Sequence, residues 1–189
     1  KTLENQQLGL QNANNIAITV LLVSLGMLFA TFLLALFMYK LTATTWPPMG
    51  LKEVALYPPL QSTLIILLSS FTYMKFESLF ARSNPKYKNQ LIYTIYLGVL
   101  FLISQVWIWS LWLERGITVD MSIYGSIIYV MTGVHGAHIV LSLLSLFYVQ
   151  YIVQRKEKNK TQIIISNVGK VWHFLTIVWL IILVTTFIW

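Results

Sequence analysis

The chain has no cysteine, so it can form no disulfide, no thiolate-held metal site and no cysteine-bridged dinuclear copper centre. Charge is scarce too: Asp, Glu, Lys and Arg make up 10% of its 189 residues, against about a quarter in an ordinary soluble domain. The 6 acidic residues are Glu4, Glu53, Glu77, Glu114, Asp120 and Glu157, all at or beyond the ends of the apolar runs, and no Lys or Arg lies at the centre of one. An ionisable group deep in a bilayer is costly and usually marks an ion or proton path. Empty helix centres therefore disfavour a pump or an ion-coupled transporter. There is no internal repeat and no low-complexity tract.

What is there is apolar: 57% of the residues are hydrophobic. Five segments are long enough to cross a bilayer as helices, which takes roughly 20 residues. They lie at roughly 16–39, 56–76, 91–113, 122–151 and 170–189, and the second is the weakest. The expected fold is all-α, a single membrane-embedded domain over 1–189. The first segment is too long and unbroken for a signal-peptide core, and no small-residue cleavage site follows it.

The net charge of +7 would suggest nucleic acid only if the basic residues shared a soluble face. Here they fill the gaps between apolar runs, so no nucleic-acid partner is expected. Lys75, Arg82, Lys86 and Lys88 fall in one gap and Arg155, Lys156, Lys158, Lys160 and Lys170 in another, both on the side of Lys1. Only Lys40, Lys52 and Arg115 lie opposite. The excess of basic residues on one side puts the N-terminus in the cytoplasm and the C-terminus in the periplasm. Trp46, Trp109, Trp112 and Trp189 then fall near the outer boundary, as an aromatic belt would.

The fourth segment holds the pattern richest in candidate ligands, "TGVHGAH". On a helical wheel Ser122, Ser126, Tyr129, Gly133, Gly136 and Ala137 form a small-residue stripe, where another backbone could approach closely. Thr132, His135, His138, Ser142 and Ser145 fall opposite, a polar stripe whose groups need partners on a neighbouring helix. That arrangement predicts a central helix buried from both sides. The only other histidine is His173, read as opening the fifth helix on the order of 10 Å shallower than His138, too far for one tetrahedral metal site. The expectation is three structural histidines, each ring nitrogen paired nearby. Gln105 reads as an interhelical tie. Ser69 to Thr72 reads as hydroxyls bonded to carbonyls or a neighbouring helix, and the face with Trp172, Thr176 and Trp179 as packing for another subunit. Trp46, Pro47, Pro48 and Gly50 make a rigid turn.

In chain order these stretches resemble subunit III of the haem-copper respiratory oxidases. "WPPMG" is similar to the family's Trp-Pro-Pro-x-Gly loop, and "PLQSTLIILLSSFT" and "LGVLFLISQ" to the helices that follow. "YGSIIYVMTGVHGAH" resembles its most specific signature, and "VWHFLTIVWL", with Trp172 and His173, its last-helix motif. Five helices correspond to the short bacterial form. Departures are Leu25 after Ser24 and Thr176, where the family often has acids, and Gln61 and Ser62 where it tends to have asparagine.

The resemblance implies an accessory subunit without redox centres, catalytic residues or bound metal, located in the bacterial inner membrane. It would pack against the catalytic subunit I and subunit II, which hold the haem and copper, and would hold membrane phospholipid. It would support proton uptake during oxygen reduction. Two other readings remain open: the same role in a quinol oxidase or nitric oxide reductase, and a free-standing metal or haem membrane enzyme using His135 and His138.

Overall fold

A computed structural model describes residues 2–43, 56–116, 118–119, 123–154 and 158–188; the side chains of 2–12, 158–160 and 187–188 are outside the description. The Trp46, Pro47, Pro48, Gly50 turn, Ser122 and Trp189 also lie outside the described residues. The elements are α1 (Thr2–Thr42), α2 (Tyr57–Ala81), α3 (Tyr87–Glu114), α4 (Ile123–Ile152) and α5 (Lys158–Leu183), which continues as a π-helical turn, Val184–Ile188. All five helices are long and apolar enough to span a membrane, and no strand occurs among the described residues.

Two helix starts differ from the hydropathic reading. α1 already runs from Thr2, and α5 begins at Lys158 rather than near residue 170. The early part of α5, "KNKTQIIISNVGK", mixes polar and apolar residues, so no hydrophobic run announces it. Yet Thr161 and Ile165 are fully buried, one helical turn apart. Amphipathic packing, not a continuous apolar stretch, makes this segment helical. At the start of α2, Pro58 and Pro59 occupy the first turn, where a missing N–H costs nothing.

The turn after α2 fixes the bundle's tightest pairing. Ser83 takes a left-handed conformation (φ 54°), and the amides of Ser83 and Asn84 bond back to the carbonyls of Phe80 and Leu79. Asn84 Oδ1 then accepts from the amide of Lys86, 3.0 Å away, one residue before α3. So short a reversal makes α2 and α3 antiparallel neighbours. α2 also meets α5, α4 packs on α3, α5 and α1, and α5 touches α1, α2 and α4. The core is aromatic and aliphatic, with Phe76, Phe101, Met131, Ile139, Trp172 and Trp179 essentially inaccessible. Outward faces carry residues such as Leu64, Ile103, Val106 and Leu144, suited to lipid.

α4 is not buried from both sides as its two stripes suggested. Its inward face is a single stripe through Ile128, Thr132, His135, Ile139, Ser142 and Leu146, while Ala137 is exposed. A Cβ added at Gly136 would meet nothing, and one at Gly133 would make only ordinary contact with Trp109. The glycines that let helices close up are elsewhere. A Cβ at Gly98 of α3 would sit 2.8 Å from both Leu143 and Trp172, and one at Gly169 of α5 would sit 2.6 Å from Tyr73 and 2.8 Å from Glu77 Oε1. Trp109 and Trp112 also turn inward, both packing on Tyr129 of α4.

Gly98→Val or Gly169→Val should each destabilise the bundle by about 1–3 kcal/mol through overpacking, whereas Gly136→Ala should be neutral or slightly stabilising. Denaturant titration in mixed micelles measures the difference. Equal losses at all three positions would contradict this packing.

Candidate functional site

The polar groups singled out in the sequence sort into ties between helices and groups with no partner. The strongest ties run along the seam between α2 and α5. Residues 63 and 70 of α2 are seven apart, two helical turns, and so share one face. From that face Thr63 Oγ1 accepts from the indole N–H of Trp179 at 2.9 Å, and Ser70 Oγ lies 2.6 Å from His173 Nδ1. Tyr73 donates its hydroxyl to the Ile165 carbonyl at 2.7 Å, and the Tyr73 ring meets the His173 ring edge-on at 5.8 Å. Between α2 and α3, Ser69 donates to the Thr94 carbonyl at 3.0 Å and Thr72 pairs with the Thr94 hydroxyl at 2.9 Å. Between α3 and α4, Trp109 donates its indole N–H to Thr132 Oγ1 at 3.2 Å, and Thr132 in turn donates to the Ile128 carbonyl.

The histidines of α4 behave differently from the expectation. His138 Nδ1 bonds 2.7 Å away to the Val134 carbonyl of its own helix, not across an interface. His135 is fully buried, and neither of its ring nitrogens has a hydrogen-bond partner. It is held by rings: stacked on Trp179 of α5 at 5.6 Å, and edge-on to Phe29 of α1 and Phe101 of α3 at 6.0 and 6.1 Å. The α4 stripe faces aromatic neighbours rather than hydroxyls, so the imidazole packs as a flat ring. Gln105 is also buried, with its Nε2 unpartnered.

His173 needs a second correction. Because α5 starts at Lys158, His173 lies midway along it, not at its beginning. Depth therefore does not separate it from His138; direction does, since His173 turns to α2 while His135 and His138 meet Phe29 of α1. Among the described residues no three of His, Cys, Asp and Glu converge to hold a metal. Trp172 is wholly buried over Gly98, and Thr176 and Trp179 are buried beside it. That face fills the bundle's own interior instead of waiting for another subunit.

Sequence reading missed Thr63, Tyr73, Gly98 and Gly169. The seven-residue spacing of Thr63 and Ser70 was a usable signal for the first. Nothing local marks Gly98, whose importance comes from Trp172 on a helix distant in sequence.

These features define a multi-pass α-helical membrane protein whose interior is tied by side-chain pairs between helices. Comparison with known proteins narrows the class. The family described as cytochrome c oxidase subunit III matches residues 3–189, and the chain belongs to it. It is 30% identical over 177 residues to cytochrome c oxidase subunit 3 of Anopheles gambiae, covering 89% of this chain and 66% of that one. The subunit 3 of Synechocystis sp. (strain ATCC 27184 / PCC 6803 / Kazusa) is 25% identical over 174 residues, covering 90% of this chain and 73% of its own length. That of Rattus norvegicus is 29% identical over 178 residues, 89% and 66% respectively. The chain thus spans about two thirds of the length of several relatives it matches, at 63–66% for the insect and rat proteins.

Three substitutions separate ties from passengers. Ser70→Ala and His173→Phe should each weaken the bundle, with a coupling of about 0.6 kcal/mol in a double-mutant cycle, the average for hydrogen bonds inside membranes. His135→Phe should leave stability unchanged or raise it, since it replaces an unpaired buried polar ring by an apolar one. Unfolding midpoints of the four variants decide the matter, and a large loss on His135→Phe would show that the imidazole nitrogens have a partner after all.

Proposed function

We propose that this chain is an accessory core subunit of a respiratory terminal oxidase of the cytochrome c oxidase type, acting as one unit over 1–189 in the bacterial inner membrane. The observation that carries the reading is the family match over residues 3–189, nearly the whole chain. In it the N-terminus is cytoplasmic and the C-terminus periplasmic, in line with basic residues concentrated on the side of the α2–α3 and α4–α5 turns. The chain binds no redox cofactor; haem and copper, in subunits I and II, supply the oxygen and electron-transfer chemistry.

The residues of this chain act by holding shape. His173 with Ser70, Thr132 with Trp109, and Trp172 on Gly98 set the spacing of α2, α3, α4 and α5. A bundle so fixed presents constant outer faces to the catalytic subunit and to membrane phospholipid, and keeps the cytoplasmic surface ordered where protons enter. Gln105, Gly133, His135 and His138 serve as interior packing.

The decisive experiment is a mild-detergent pull-down of the tagged chain from its native membrane, followed by a reduced-minus-oxidised spectrum and turnover assays. Co-purification with haem-containing subunits that consume oxygen is expected. Nitric oxide turnover or exclusive use of quinol would reassign the complex, and a colourless chain purifying alone would overturn the reading. His173→Phe should lower the amount of chain retained several-fold while leaving early turnover per retained complex unchanged.

A further inference from the structure

The outward face of α2 is lined with long apolar side chains and ends in a charge. Leu64, Leu67, Leu68, Phe71 and Met74 lie along it, all exposed. Between Leu60 and Lys75 no Gly, Ala or Ser is among its exposed residues. Helices that pack on one another in a membrane use small residues for close approach, as Gly98 and Gly169 do inside this bundle. A face without them suits acyl chains.

Lys75 closes the face. It stands eighteen residues after Tyr57, about 27 Å along the helix, and so falls near the edge of a hydrocarbon layer roughly 30 Å thick. Its Nζ lies 4.4 Å from the centre of the Phe71 ring, one turn back along α2, a cation–π contact that holds the ammonium over the apolar face. Arg82, Lys86 and Lys88 follow around the turn into α3, all exposed. Glu77, the acid at this end of α2, is turned to α5 instead: its Oε1 lies 2.8 Å from where a Cβ on Gly169 would stand. Among the described residues no carboxylate forms an ion pair with Lys75, Arg82, Lys86 or Lys88.

A ligand for this face needs hydrocarbon along α2 and negative charge at its end. A helix of another protein would find no small residues to pack on. A zwitterionic lipid has the hydrocarbon, but its own cation offsets its phosphate. We infer, resting on the phospholipid contact in the proposed function, that this face seats an anionic phospholipid. Its acyl chains lie along Leu64, Leu68 and Phe71, its phosphate meets Lys75, and Arg82, Lys86 and Lys88 attract its headgroup.

The test uses the chain purified with its native partners into phosphatidylcholine nanodiscs. Phosphatidylglycerol and phosphatidylcholine probes with the same diazirine-bearing acyl chain are photolysed at low salt, and labelled peptides of this chain are mapped. The glycerol probe should label residues 64–75 about tenfold more than the choline probe, and the preference should shrink as salt rises. Lys75→Gln should cut that preference about threefold, whereas Lys170→Gln, which removes an exposed charge from the α5 side, should leave it unchanged. Equal labelling of the unaltered chain by the two probes would overturn the assignment. Equal losses in Lys75→Gln and Lys170→Gln would reduce it to diffuse attraction and overturn the seat at Lys75. Labelling of residues 64–75 by neither probe would mean that another protein covers this face, which overturns it too. All of these are read on the peptides of this chain, so they stand apart from the haem spectrum and oxygen turnover that test the oxidase reading.

Discussion

Hydrocarbon offers a protein no hydrogen bonds, and the rest of this structure follows from that. The backbone must satisfy itself, so the membrane-spanning segments are helices. Lipid tails are as apolar as leucine, so burying leucine is no reason for helices to associate. What remains is close contact and side-chain hydrogen bonding. Both converge on α5: Gly169 admits Tyr73 and Glu77, Trp172 covers Gly98, and Trp179 and His173 bond to Thr63 and Ser70. Each tie is small, around 0.6 kcal/mol on average in membranes, so the bundle depends on several acting together.

The same constraint gives meaning to the polar groups that are not tied. His135 is ringed by Phe29, Phe101 and Trp179 without a hydrogen bond, which makes it the least settled polar residue of the interior. Ser142 is unpartnered as well, but it borders a slot between α1, α4 and α5 rather than closed aromatic packing. The distinction rests on what each side chain faces, since both lie on the inward stripe of one helix.

The helices were legible in the sequence because a bilayer demands long apolar runs and the chain has five of them. The start of α5 was not. Its first turns are amphipathic and become helical only because Thr161 and Ile165 are buried against neighbours. That shift moved His173 from the end of the helix to its middle and removed the depth argument that had separated it from His138. Among the candidate residues, Thr132, Trp172 and His173 meet other helices through hydrogen bonds or close packing, His138 bonds within α4 and packs edge-on to Phe29 of α1, and a Cβ added at Gly136 would meet nothing. A wheel sorts residues by angle but cannot say which angles will meet a neighbour.

By itself the sequence determined the solvent, the number of crossings and the family. These depend on composition, run length and the order of motifs, all of which are properties of one chain read end to end. Only the tertiary structure decided which glycines are tight, which histidine is tied, and where a slot opens between helices. Those depend on partners distant in the chain, as Gly98 depends on Trp172 and Thr63 on Trp179. Each such pairing exists only once the helices have been brought together, because neither residue's own surroundings in the chain specify it.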